Sequence, residues 1–293
     1  MTVWNLGSIN IDYTYRLPHL PRPGETLSAS EFRKGLGGKG ANQSLAAARA
    51  GASVVHLGAA ARADDWVVGR LTSAGVDTTH IVRHHDQATG HAIILLDDAG
   101  ENSIVIHGGA NRTLQQDQFK SAIARMKGGD FLLMQNETNL QVELAQIAAK
   151  RGVRVVYSAA PFDIEALRAV LPHVGILAVN EGEAAEMAKT FGEDLAVEGM
   201  LVTRGAKGAE YRDLHGGRRF EVPAFPVEVV DTTGAGDCFA GYFIAGLDRG
   251  DDIPTALRRA AAAAALKVTR TGAGDAIPKF DEVEKFLART EQE

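Results

Sequence analysis

Between residues 131 and 203, short apolar runs alternate with stretches of helical period, and this alternation constrains the fold more than any other feature of the chain. The apolar runs are 131–135, 153–157, 176–179 and 200–203; the helical patterns are 140–151, 164–170 and 181–191. Strand, helix, strand at this spacing requires right-handed crossovers and hence a parallel sheet. The runs are apolar at nearly every residue, not at every second one, which predicts burial on both faces. The expected class is α/β: a doubly wound, mostly parallel sheet with helices on both faces.

The amino-terminal half begins in the same way, with an apolar run at 3–6 and a helical pattern at 41–50. About 30 residues separate the two, too many for a bare loop in a compact domain. Short strands are expected there at 12–17 and 26–33, around the breakers Pro18, Pro21, Pro23 and Gly24. Runs at 91–96 and 103–107 flank the turn Asp97-Asp98-Ala99-Gly100. Together these four runs make a small second sheet, either a lid over the carboxyl ends of the main strands or a pairing surface for another subunit. Residues 234–249, 253–269 and 280–289 read as helices. The expected plan is one large α/β domain over 1–293, with a small β lid built from excursions at about 11–34 and 88–107.

Composition narrows the ligands and the compartment. With 45% hydrophobic and 23% charged residues the chain is an ordinary globular protein, so collagen-like, coiled-coil and disordered readings drop out. Its 31 basic and 37 acidic residues give a net charge of −6, which leaves no basic footprint for a nucleic acid. Any anionic ligand must then be held locally, by backbone amides or a metal ion. Cys238 is the sole cysteine, which excludes an internal disulfide and a Cys-cluster metal site and fits a reducing compartment, the cytoplasm. The first twelve residues have neither a basic region nor a long apolar core, and the longest apolar stretch, 260–266, is too short to span a bilayer. Neither export nor membrane insertion is expected.

The sharpest motif is Asp231-Thr232-Thr233-Gly234-Ala235-Gly236-Asp237, directly before an apolar helix. Its small residues let backbone approach a ligand, and the helix start offers free N–H groups with a positive partial charge, a nest for a phosphate in flight. Asp237 at the mouth of that nest is electrostatically awkward unless it handles a proton, as general base for an attacking hydroxyl. The plainer reading is a helix cap. A second motif, Gly35-Leu36-Gly37-Gly38-Lys39-Gly40-Ala41-Asn42, contains the dinucleotide-binding string but lies some thirty residues past the first strand, where that fingerprint does not belong. A glycine-rich helix start holding a polyhydroxyl or a phosphate through its amides stays open. Asn180 and Glu183 form either a capping box or, through Glu183, a ligand to hydrated Mg²⁺. Gly205-Ala206-Lys207-Gly208 is a turn that could lie against a nucleotide. Asn10 and Asp12, two apart on an extended segment, suit sugar hydroxyls or simply end a strand. His84, His85 and His91 lack metal-ligand spacing and read as a solvated loop.

Together these residues resemble the ribokinase family of sugar kinases, also called the phosphofructokinase B family, over essentially the whole chain. The two family signatures look like Gly37-Gly38-Lys39-Gly40-Ala41-Asn42-Gln43 and the 231–237 motif. Further similar stretches are Gly7-Ser8-Ile9-Asn10-Ile11-Asp12, Pro23-Gly24-Glu25-Thr26, Ile106-His107-Gly108-Gly109-Ala110-Asn111, Leu133-Met134-Gln135-Asn136-Glu137 and Val268-Thr269-Arg270. The resemblance implies an ATP-dependent transfer of the γ-phosphoryl group to the terminal hydroxymethyl of a pentose, D-ribose to ribose 5-phosphate. Alternatives are another sugar, a sugar acid or a nucleoside as acceptor, or a non-catalytic sensor on the same fold. Asn10, Asp12, Gly38, Lys39, Asn42 and Glu137 would hold the sugar, Asp237 would be the base, and Gly234, Ala235 and Gly236 would form the anion hole. Asn180, Thr203, Arg204, Gly205, Ala206, Lys207, Gly208 and Gly236 would contact ATP, with Glu183 acting on Mg²⁺ through water. A monovalent cation, potassium, would sit near Asp231, Thr233, Lys267, Arg270, Gly272 and Ala276, mostly on backbone carbonyls, and two subunits would pair through their lids. The chain departs from the family at Ser158-Ala159-Ala160-Pro161, where Asn-Pro-Ala-Pro is typical, at Ala276 for a serine and at Ala261 for a histidine.

Overall fold

The computed structural model describes residues 1–192 and 195–290; the ends of the expected span at 291–293, and residues 193–194, lie outside it. In chain order the elements are β1 (Val3–Leu6), β2 (Asn10–Leu17), β3 (Glu31–Gly37), α1 (Lys39–Arg49), β4 (Val54–Ala61), α2 (Asp65–Ser73), β5 (Ile81–His84), β6 (Gly90–Asp97) and β7 (Asn102–His107). The middle of the chain forms α3 (Lys120–Arg125), β8 (Phe131–Gln135), α4 (Gln141–Lys150), β9 (Arg154–Ser158), α5 (Ile164–Val170), β10 (Ile176–Asn180) and α6 (Glu181–Phe191). It ends with β11 (Gly199–Thr203), β12 (Ala209–Asp213), β13 (Arg218–Val222), α7 (Ala235–Arg249), α8 (Ile253–Val268) and α9 (Phe280–Thr290). Among the described residues no helix is long and apolar enough to cross a membrane.

The main sheet has nine strands in the order β13-β12-β11-β10-β9-β8-β1-β4-β5. Its body is parallel, while β12 and β13 are added antiparallel at one edge. Successive residues of one strand serve opposite faces. Val3 and Leu133 join the cluster formed with α1, α7 and α8, whereas Trp4, Leu132 and Met134 join the one formed with α4 and α5. That two-sided burial is the reason these strands read as unbroken apolar runs. Because β1 sits between β8 and β4, the winding direction reverses there. The carboxyl ends of β1 and β8 therefore border the crevice where open α/β sheets take their ligands.

A second sheet of four strands, β3-β2-β6-β7, grows from the segments after β1 and β5. Its second segment differs from the sequence expectation: the strand is not 26–33 but β3, five residues later at its start. The breakers near Pro23 keep the preceding stretch irregular, and the glycines let β3 pair closely with β2. A Cβ on Gly37 would sit 2.1 Å from Asp12 Oδ2. Gly35 and Gly37 are thus strand residues, placed opposite Asp12 and Asn10. Strand β7 is exposed along its whole length, including Ile104, Val105 and Ile106.

Candidate active site

The first polar group of the crevice is built where β1 ends and α1 begins. Lys39 N donates to Glu137 Oε2 at 3.1 Å, Gly40 N to Ser8 Oγ at 3.2 Å and Ala41 N to Ser8 O at 2.8 Å, while the Ser8 hydroxyl donates to Glu137. These bonds correct one sequence expectation. The start of α1 spends its amides inside the protein and is not an anion cradle; the glycines serve close packing instead, since a Cβ on Gly38 would lie 2.8 Å from Asn10 N.

Asn10 is buried and accepts from Asn111 Nδ2 at 2.8 Å, and Asn111 Oδ1 in turn accepts from Ile9 N at 2.9 Å. Asp12 follows on β2. Burial, and then the neighbouring charges of Glu137 and Asp237, push its pKa up to about 6 against the pull of Lys39. Burial likewise raises Glu137, against the Ser8 bond and Lys39. For Lys39 burial works downward, but Asp237, Glu137, Glu183 and Asp12 together outweigh it and hold the ammonium's pKa up. One cation among several carboxylates is a fit for a polyhydroxylated neutral ligand, which can both donate and accept.

Asp237 lies in the first turn of α7 and is 8% exposed. Its Oδ2 accepts from Asn42 Nδ2 at 3.0 Å and its Oδ1 from Gln43 Nε2 at 2.9 Å, so the carboxylate caps nothing on its own helix and is held by α1. Asn42, expected to touch sugar, spends its amide nitrogen on Asp237. Behind Gln43 a buried chain continues. Gln135 Nε2 donates to both Gln43 Oε1 and Asn5 Oδ1, and Asn5 Nδ2 donates to Ser44 Oγ. His56 closes it: Nε2 must donate to the Gly7 carbonyl, leaving Nδ1 to accept from Ser44. Burial holds the His56 pKa down at about 4, so the ring stays neutral and the tautomer fixed. The sequence reading missed Ser8, Gln43, Asn111 and this chain; its signal is a polar residue inside an apolar parallel strand, as at Asn5, His56 and Gln135.

Gly234 caps α7 in the left-handed region, φ 73°, which favours glycine. Ala235 N donates back to Thr232 O at 3.1 Å. The next amides, Gly236 and Asp237, have no carbonyl ahead of them in the helix and carry its positive end. They border a cleft of about 210 Å³ shared with Lys39, Ser158, Asn180, Glu183 and Thr203. Asn180 and Glu183 form a complete capping box, Glu183 N to Asn180 Oδ1 at 2.9 Å and Asn180 N to Glu183 Oε2 at 2.8 Å. The capping box uses Glu183 Oε2, so its other carboxylate oxygen would be the one to face the water shell of a bound Mg²⁺. No cluster of three metal-binding side chains occurs among the described residues. A larger cavity of about 590 Å³ lies at the opposite ends of the strands, near Phe131 and Gly175, and contains none of these residues.

Two expected contacts turn elsewhere. Arg204 pairs with Glu210 and Glu221, and Lys207 Nζ with Glu181 at 2.9 Å. Gly208 is required by backbone, for a Cβ there would lie 2.0 Å from Val222 O. Ala206 belongs to the short turn between them. The side chains of the expected potassium group are bonded within the protein. Asp231 Oδ1 accepts from Thr233 N and Oδ2 from Gly272 N, both at 2.8 Å, and Arg270 pairs with Glu282. Ala276 has no side-chain oxygen, and the Lys267 ammonium itself donates to Asp231 O at 2.7 Å. Like charges about 4 Å apart repel by about 4 kcal/mol at an effective dielectric of about 20, so a potassium ion does not fit beside that ammonium.

A helix terminus able to hold an anion, facing a fixed carboxylate with hydroxyl-binding groups beyond it, is the arrangement of enzymes that move a phosphoryl group onto an alcohol. The sequence matches the pfkB family carbohydrate kinases over residues 2–279. It is 37% identical to the ribokinase of Haemophilus influenzae, covering 98% of each chain. Among solved structures it is similar to ribokinase from Cryptococcus neoformans in complex with ADP (TM-score 0.86, 35% identity, 97% and 98% coverage). It is also similar to Arabidopsis thaliana ribokinase complexed with ribose and ATP (TM-score 0.85, 29% identity, 98% of each chain). The chain belongs to the pfkB family of carbohydrate kinases.

Proposed function

We propose that this protein transfers the γ-phosphoryl group of ATP to the terminal hydroxymethyl of D-ribose, giving ribose 5-phosphate. The observation that carries the reading is Asp237, clamped by Asn42 and Gln43 at the positive end of α7, in a cleft with polar groups for a sugar on one side and Asn180, Glu183 and Thr203 on the other. Asn10, Asp12, Lys39 and Glu137 orient the sugar so that its hydroxyl meets Asp237, which takes the proton. The amides at the start of α7 stabilise charge on the transferring group. Glu183 would hold Mg²⁺ through water, and the ion would supply neutralisation of phosphate charge. Thr203 and the turn from Gly205 to Gly208 would lie along the nucleotide.

Ribose is favoured over other acceptors by the ribokinase similarity and by Asp12, an acceptor for vicinal hydroxyls. An ADP-release assay over a panel of pentoses, hexoses, sugar acids and nucleosides should select ribose; selective turnover of a hexose or a nucleoside would overturn this choice, and sugar binding without ATP consumption would favour a sensor. The same assay across pH tests Asp12. Because its folded value of about 6 lies above the free value of 3.8, the protonated group favours the fold, and that stability is lost as pH rises through about 6. Ionised Asp12 is the better hydroxyl acceptor, so kcat/KM for the sugar should rise through that window and the step should vanish in Asp12→Asn.

The small sheet is read as a lid that closes on the sugar and as a dimer surface. Phe32, Ile93, Ile104, Val105 and Ile106 are exposed on it, an apolar patch that a free subunit would leave in water. Sedimentation should give twice the protomer mass, and a monomer at micromolar concentration refutes the pairing. The unpaired, fully buried Cys238 fits a cytoplasmic protein, to be checked by cell fractionation.

A further inference from the structure

The Lys267 side chain is fully buried at the end of α8, in a run that is otherwise alanine and leucine. A buried ammonium is costly unless it is paired. Its Nζ donates to Asp231 O at 2.7 Å and lies 4.0 Å from Asp231 Oδ1. Asp231 is the residue from which the anion-hole loop departs, and three further bonds tie it down. Its own N–H, like that of Val230, donates to Val268 O, and its carboxylate accepts from Thr233 N and Gly272 N. The loop into Gly234 is thus organised around one interior positive charge, and nothing in the proposed phosphoryl transfer has yet used it.

We propose that Lys267 is a built-in monovalent cation: its ammonium does for the 231–234 loop what a bound potassium ion would do, and this chain works without one. The proposal rests on the kinase reading above. Lys267 acts through the loop, so it is a positioning residue and not a catalytic one. Being covalently attached, the charge needs no ion from solution, and turnover should not follow the potassium concentration.

The test compares turnover in tetramethylammonium and in potassium at equal ionic strength. The protein should give kcat equal within about two-fold in the two salts. Lys267→Ala should lose about ten-fold or more in tetramethylammonium and recover in potassium, the vacated space admitting the ion. Lys267→Met, which fills the space without charge, should lose activity in both. Melting temperature gives a readout independent of turnover: potassium should leave the unsubstituted protein unchanged and raise Lys267→Ala. Several-fold potassium activation of the unsubstituted protein with a rise in its melting temperature overturns the proposal, as does full activity of Lys267→Ala in tetramethylammonium. If the variants do not fold, the unsubstituted protein alone decides. Absence of sugar phosphorylation in either salt rejects the kinase reading instead, while the melting comparison still reads the cation.

Discussion

Asp237→Asn is expected to lower turnover about a thousand-fold, within the range that a positioned general base contributes, while sugar affinity stays within a few-fold. The substitution removes the proton acceptor and keeps the size of the side chain. Its structural consequence is small for a specific reason. Asn42 and Gln43 both donate to the carboxylate, so the new amide would turn its NH₂ toward one of these donors. Asn42 Oδ1 is buried without a partner, and a flip of that amide offers it to the new donor. Turnover by ADP release, sugar binding by calorimetry and a melting curve separate the outcomes. Near-normal turnover would remove Asp237 as the base; lost sugar binding would make it a binding group first.

Gly40→Ala should show the largest effect on stability. An added Cβ would lie 2.3 Å from both Gly7 Cα and Ser8 N. Both neighbours are main chain of the segment leaving β1, and Gly7 N is itself bonded to Leu57 O, so no side chain can swing away. Overpacking of this kind costs about 1–3 kcal/mol where side chains yield, and more is expected where backbone must move. At about 2–4 °C per kcal/mol for a large domain, a loss of about 10 °C or more should appear in thermal denaturation. Gly35→Ala is the control, since nothing lies within 4 Å of the Cβ it would add, and it should melt close to the unsubstituted protein. Equal melting of the two variants would mean that the segments at Gly7 and Gly40 separate easily, and that this contact does not hold the sugar side together.

The glycine-rich stretch shows how far a local reading reaches. Its composition points to close approach of backbone, and close approach is what it provides. A sequence cannot say which partner approaches. Gly37 makes room for the Asp12 carboxylate, Gly38 for the backbone of Ser8 and Asn10, and Gly40 for Gly7 and Ser8. Each partner is distant along the chain. The strand 26–33 was misplaced for a related reason, because glycine-containing β3 has little strand propensity and is fixed by pairing with β2. The antiparallel edge β12–β13 went unread, as did β4, whose buried sequence of valine, alanine and histidine has no clear period.

The parallel core from β8 to β11 was legible because a strand buried on both faces must be apolar throughout, and that requirement is written in consecutive residues. The motif at 231–237 was legible for a similar reason, since a tight loop feeding a helix depends on small residues in order. Which groups meet at the site was decided only in three dimensions. Gln43 reaches Asp237 across 194 positions of sequence, Asn111 reaches Asn10 across 101, and the Lys267 ammonium meets Asp231 across 36. Hydrogen bonds and charge act over a few ångströms of space whatever the separation along the chain. The local rules therefore pointed to Asp237 and the start of α7, while packing of α1 and α8 against α7 determined what holds that carboxylate and which charge stands beside the loop.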